Sequence, residues 1–209
     1  MIRFLVAAGI ALFVAVAAYA AISGERAADP PTASAATTPI EPASVQDITH
    51  DFPTPQQVER ANQRKLMPAD TVSLLKVRGS LHHGDFRWEE GDAPDGPLTV
   101  WVDLRRQMAS VFRAGHEIGT AVVVYGGPGM PTPEGTFHIL SKHRDYRSRS
   151  YDAAMPYAMF ITDDGVALHA SPMAADHATH GCIGLPPGFA AKLFAIAQKG
   201  DRVVIVRST

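Results

Sequence analysis

The chain has 209 residues, 46% of them hydrophobic and 19% charged, and its formal net charge is −2 at pH 7. That length suits one domain of ordinary size with appendages. The near-neutral balance, with no Lys/Arg-rich run and no interleaving of basic and aromatic residues, argues against a nucleic-acid partner. The short basic group Arg144, Arg147 and Arg149 stands beside acidic residues and reads as a solvated loop.

In chain order, Arg3 is followed by residues 4–22, which carry no charged side chain. A short basic start before an apolar run reads as an export signal, and Ala18-Tyr19-Ala20 is a small-x-small site where a signal peptidase could cut. The run is also long enough to span a bilayer. A cleaved signal peptide and a retained membrane anchor are therefore both open, and both place the rest of the chain outside the cytoplasm, in the periplasm or cell envelope. Residues 23–55 are rich in Ala, Pro, Thr and Ser, with too few large apolar side chains to offset the entropy of ordering, and read as a flexible linker. Residues 56–79 form an N-terminal extension of unassigned role, with a short helix in the stretch PQQVERANQRKLM.

From about residue 80 the pattern is that of a β-rich domain. Residues 98–103 alternate apolar and polar as a half-buried strand does, residues 108–113 repeat the pattern, and Ala114-Gly115-His116 turns into a third run at 118–125. Two breaker clusters follow, Gly126-Gly127-Pro128-Gly129 and Pro131-Thr132-Pro133-Glu134-Gly135. Residues 136–140 and 157–162 are further strands, and Asp163-Asp164-Gly165 is a tight turn into residues 166–169. The period then changes. Pro187 opens a helix with Phe189, Leu193, Phe194 and Ala197 on one face, Gly200 closes it, and residues 202–206 form a last strand. The sum is a mainly antiparallel β domain with one late helix.

Reactive side chains concentrate between His169 and Cys182, which hold three of the nine histidines and the only cysteine. An unpaired thiol in an exported protein seeks a partner or is reactive, and a buried inert cysteine is the third reading. Cysteine attacks as its thiolate and needs a base or a positive environment, a task that suits histidine. His169 should end a strand and Cys182 follow a loop, so the two could meet across it. Backbone N–H groups at Gly181 and Cys182 could face a developing oxyanion. The same residues also offer nitrogen and sulfur ligands to zinc, although His-x2-His-x-Cys matches no specific zinc spacing. His177 reads as a loop-surface residue.

Thr179-His180-Gly181-Cys182-Ile183 resembles the Ser/Thr-His-Gly-Cys-Ile/Val signature of the L,D-transpeptidase (YkuD-like) catalytic domain. The resemblance runs on through Val102-Asp103, Gln107, Val111-Phe112-Arg113, Ile118-Gly119, Thr132-Pro133-Glu134-Gly135, Met155-Pro156-Tyr157 and the segment 164–169, in that family's order, over roughly residues 80–206. It implies a β-sandwich fold with one C-terminal helix. It also implies that Cys182 is the nucleophile, His169 the proton donor and acceptor, and His180 a supporting group, with Gly181 and Thr179 at the oxyanion or substrate-binding position. The implied partners are peptidoglycan stem peptides, and no metal or organic cofactor is expected. The implied reaction is acyl transfer from a tetrapeptide stem to an amine. A carboxypeptidase, a lipoprotein-anchoring variant or an inactive wall-binding module are the alternatives. Gly184 departs from the arginine the family usually carries two residues after the cysteine.

Overall fold

The computed structural model describes residues 49–174 and 177–209. The apolar segment at 4–22 and most of the linker lie outside the described residues. Among the described residues no helix is long and apolar enough to cross a membrane.

Two sheets and a helix share one core. The larger sheet contains β3 (Phe86–Trp88), β4 (Leu98–Asp103), β5 (Met108–Arg113), β6 (His116–Val122), β7 (Gly135–His138) and β12 (Arg202–Val206), in the order β3-β6-β5-β4-β12-β7. The smaller holds β8 (Ser141–Ser148), β9 (Ala153–Phe160), β10 (Ala167–Ala170) and β11 (Ile183–Leu185), in the order β11-β10-β9-β8. Helix α2 (Pro187–Ile196) buries Phe189, Ala190 and Leu193. These three pack in one cluster with Val100, Val102, Val111 and Ile118 of the larger sheet and Met159, Leu168, Ile183 and Leu185 of the smaller. The Phe189 ring meets the rings of Phe86 and Trp88 edge-on, and Gly119 admits Trp88: a Cβ there would stand 2.4 Å from the indole.

Several strands depart from their sequence pattern. Strand β4 is buried at every position: Leu98, Val100 and Val102 face the core, and Thr99, Trp101 and Asp103 are buried at the alternate positions. Its alternation therefore overstates its exposure. The third run begins at His116 and ends at Val122, and residues 157–160 belong to a longer strand, Ala153–Phe160, that stops two residues short of the expected end. Arg144 and Arg147 do not lie in a loop: they belong to β8, an edge strand paired only with β9, and Arg149 sits in the turn that follows. An edge strand bathed in solvent needs no apolar face, so its residues carry no period to read. Two pairings, β4 with β12 and β10 with β11, are parallel within the otherwise antiparallel architecture.

The extension packs on the domain. Helix α1 (Pro55–Gln63) starts with a reciprocal pair between Thr54 and Gln57, side chain to backbone in both directions. Strands β1 (His50–Asp51) and β2 (Leu74–Leu75) pair with each other and meet the β5–β6 hairpin. The Val72 N–H donates to the Gly115 carbonyl (2.7 Å), the Leu75 N–H donates to Glu117 Oε2 (2.9 Å), and His50 Nε2 donates to the Glu117 carbonyl (2.9 Å). Burial raises the Glu117 carboxyl above its usual 4.5, against the hydrogen bonds from Ser110 and Leu75 and the nearby His50.

Candidate active site

Strand β10 is short and has two distinct faces. Leu168 and Ala170 point to the core, so His169 leaves the opposite face. The parallel register pairs Leu168 with Ile183 and His169 with Gly184. Cys182, one residue before β11, therefore falls beside Ala167 and on the His169 face. Both line a cavity of about 1510 Å³ whose wall also includes Tyr157, His177, Thr179 and His180.

His169 is 8% exposed, and its Nδ1 lies 2.8 Å from the Ala170 carbonyl. A carbonyl only accepts, so Nδ1 carries the proton and Nε2 is the free nitrogen. Burial lowers the His169 pKa below its usual 6.5 despite that hydrogen bond, and the nearby His177 pushes the same way. Cys182 is half-buried, with Met155, Ala158 and Ala167 packed about it, and its thiol lies 3.7 Å from the Gly165 carbonyl. Burial raises its pKa above the usual 9.0, only partly offset by the Ala167 N–H. Both groups are thus neutral near pH 7. Neither shift favours a standing thiolate–imidazolium pair.

The loop before the thiol is fastened at several points. The Thr179 hydroxyl donates to the Cys182 carbonyl, and the Thr179 N–H donates to the Tyr125 carbonyl at 3.0 Å. Thr132, buried, donates its hydroxyl to the Gly181 carbonyl (2.9 Å) and accepts from the Gly126 N–H (2.9 Å). Gly181 has φ +101°, and a Cβ on Gly126 would stand 2.9 Å from its Cα, so the turn requires glycine at both places. The His180 ring stacks on Tyr151 of the β8–β9 turn, 4.2 Å between centroids, and Tyr151 in turn donates to the Met130 sulfur. Among the described residues His180 makes no hydrogen bond to His169 or Cys182.

Two features lay outside sequence reasoning. Thr132 reads in sequence as part of a turn, whereas its hydroxyl ties two loops together; the Thr-Pro-x-Gly pattern was the available signal. Tyr157 has φ +57° inside β9, a strained conformation for an aromatic residue, at the one point where the β8–β9 ladder is broken. No local pattern announces it. His177 is exposed on its loop, as its sequence suggests, and it also reaches the cavity wall, with Nε2 3.4 Å from the Ser171 hydroxyl. Gly184 has no room for any side chain: a Cβ there would stand 2.6 Å from Val124 Cγ2 and 2.7 Å from Ser171 Cβ. Among the described residues no group of three or more His, Cys, Asp or Glu is placed to hold a metal ion.

Residues 97–205 match the family model of the L,D-transpeptidase (YkuD) catalytic domain. The chain belongs to this family. L,D-transpeptidase 1 of Mycobacterium tuberculosis (strain ATCC 25618 / H37Rv) is 30% identical over 136 residues, covering 57% of this chain and 53% of that protein. The crystal structure of an L,D-transpeptidase from Stackebrandtia nassauensis superposes with a TM-score of 0.51 at 27% identity, over 56% of this chain and 60% of that one. The structure of the L,D-transpeptidase LdtMt1 in complex with imipenem gives 0.50 at 29% identity, over 52% and 58%. The chain spans about half the length of the curated relative, 53%. The sandwich with a C-terminal helix that the resemblance implies is the observed L,D-transpeptidase fold, with the short helix α1 added in the extension.

Proposed function

We propose that the protein is an exported peptidoglycan L,D-transpeptidase that uses Cys182 as nucleophile and His169 as its base. The observation that carries this reading is the shared cavity face of the two residues, with His169 Nδ1 committed to Ala170 so that Nε2 is free. Cys182 attacks the carbonyl between the L-centre of the diamino acid and the terminal D-residue of a tetrapeptide stem. Nε2 of His169 accepts the thiol proton as the S–C bond forms, and the oxyanion faces the backbone N–H groups around Gly181 and Cys182. The C–N bond then breaks, the D-residue departs with that proton, and a thioester remains. The amine of a second stem attacks the thioester, His169 takes its proton, and the thiol is restored as the cross-link forms. His180, stacked on Tyr151, and Thr179, closing the turn, hold the loop that presents the thiol. The apolar segment at 4–22 supports action in the periplasm or cell envelope, by signal or by anchor.

The test is intact mass spectrometry of the protein after incubation with a carbapenem. One covalent adduct, absent in Cys182→Ala, is expected. An adduct that persists in that variant, or none in the native protein, overturns the nucleophile assignment. Incubation with disaccharide-tetrapeptide then reads the acceptor: a cross-linked dimer is expected, and a trimmed tripeptide alone would make water the acceptor.

A further inference from the structure

The steps above leave one histidine of the cavity wall without a task. His177 makes its side-chain hydrogen bond to Ser171, Nε2 to Oγ at 3.4 Å, and its Nδ1 has no hydrogen-bond partner among the described residues. Ser171 is buried and anchored by its own N–H on the Leu185 carbonyl at 3.0 Å. It follows His169 by two positions along the strand direction, so both side chains leave the same face. Gly184 makes room for it: a Cβ there would stand 2.7 Å from Ser171 Cβ and 3.0 Å from its hydroxyl. With Val124 closing the other side at 2.6 Å, any side chain at 184 would displace the hydroxyl that holds His177.

Charge on the cavity wall is divided along β10. Asp163 and Asp164 stand at the end near Gly165, ahead of the strand, and His177 stands beyond the other end, past Ser171. At about 3.3 Å per residue the four residues of β10 span roughly 10 Å between these two groups. Arg149 and His180 also line the wall, and His169 is the titratable group that feels His177. Among the described residues no carboxylate pairs with His177.

We infer that His177, braced by Ser171 in the space Gly184 leaves, is a cationic subsite for a carboxylate of the peptide donor. The inference rests on the transpeptidase reading and deepens it. With one ring nitrogen on Ser171, the imidazole keeps the other for a ligand, and a charge-assisted hydrogen bond to a carboxylate is stronger than a neutral one. A tetrapeptide stem offers two carboxylates near the scissile bond, on the terminal D-residue and on the diamino acid. Either satisfies the chemistry.

The experiment compares three donor stems: the free acid, the stem amidated at its terminal D-residue, and the stem amidated on the diamino acid. The native protein should favour the free acid over one of the two amides by about tenfold in kcat/KM, expressed mainly in KM. Which amide loses identifies the carboxylate. His177→Gln should bring that ratio towards one, and His177→Lys, which returns a cation, should restore it. A loss spread equally over all three stems would mark a merely structural role and overturn the subsite, as would a ratio unchanged in His177→Gln. Failure of the native protein to form a Cys182 adduct with a carbapenem would overturn the transpeptidase reading and the subsite together. An intact adduct with an unchanged ratio would overturn the subsite alone.

Discussion

The two sheets use their faces differently. In the larger sheet β4 is buried at every position and gives Val100 and Val102 to the core, beside Val111 of β5 and Ile118 of β6. In the smaller sheet β10 gives Leu168 and Ala170 to that same core and turns His169 to an open cavity. A strand covered on both faces, as β4 is, has no side left to line a site. A strand covered on one side can present side chains to a cavity on its free face while the other face keeps them still. The price of that arrangement is small: one short strand with a buried imidazole, whose desolvation lowers its pKa.

The neighbours His169 and Leu168 offer the sharpest way to break this comparison. His169→Ala should slow acylation of Cys182 by about a thousandfold, near the middle of the range for loss of a general base, with little change in melting temperature. Unchanged acylation by a carbapenem would move the base elsewhere, to His180 first. Acylation by the native protein should also fall as pH drops, because the proposed mechanism uses the neutral imidazole as base. With its pKa lowered, the midpoint of that fall should lie below 6.5, and a midpoint above 7 would contradict the burial argument. Leu168→Ala should do the opposite of His169→Ala: a loss of about 2–5 kcal/mol in stability by urea unfolding, with acylation per folded molecule little altered.

In the larger sheet, Gly119→Ala drives a methyl into the Trp88 ring and should cost about 1–3 kcal/mol by overpacking. Wild-type stability in that variant would mean that the Trp88 and Phe189 rings shift freely. The smallest effect is expected at Glu117. Its folded pKa is raised, so its contribution to stability is fully present below the unfolded value near 4.5 and is lost as pH rises through the folded value. Glu117→Gln keeps an oxygen for the Leu75 N–H and removes that loss. The variant should melt about 2 °C higher than the native protein at pH 7 and no higher at pH 4. A lower melting temperature at pH 7 would show that the charged form is the one that holds the extension.

Much of the catalytic domain was legible in the order of its residues. The strands at 98–103, 108–113 and 202–206 coincide with β4, β5 and β12, and the late helix with α2. Alternation and helical spacing are local properties, and these segments bury a face that follows them. Strand β8 was not legible, because its solvent-facing edge needs no apolar period, and β11 was not, because three residues carry no period at all. The site divides the same way. Cys182 and His169 stand out by residue type and motif, whereas the fastening by Thr132 and the strained Tyr157 depend on segments distant in the chain.

What the chain order determined by itself was therefore the chemistry: one thiol after Thr179-His180-Gly181, a histidine at the end of a strand, and a glycine at 184. Only the tertiary structure decided their relation. The parallel pairing of β10 with β11 sets Cys182 beside Ala167 and His169 opposite Gly184. Burial then fixes the direction of both pKa shifts. The physical reason is that residue type and spacing are written along the chain, whereas strand partners, desolvation and the space available to a side chain are set by segments that meet only on folding.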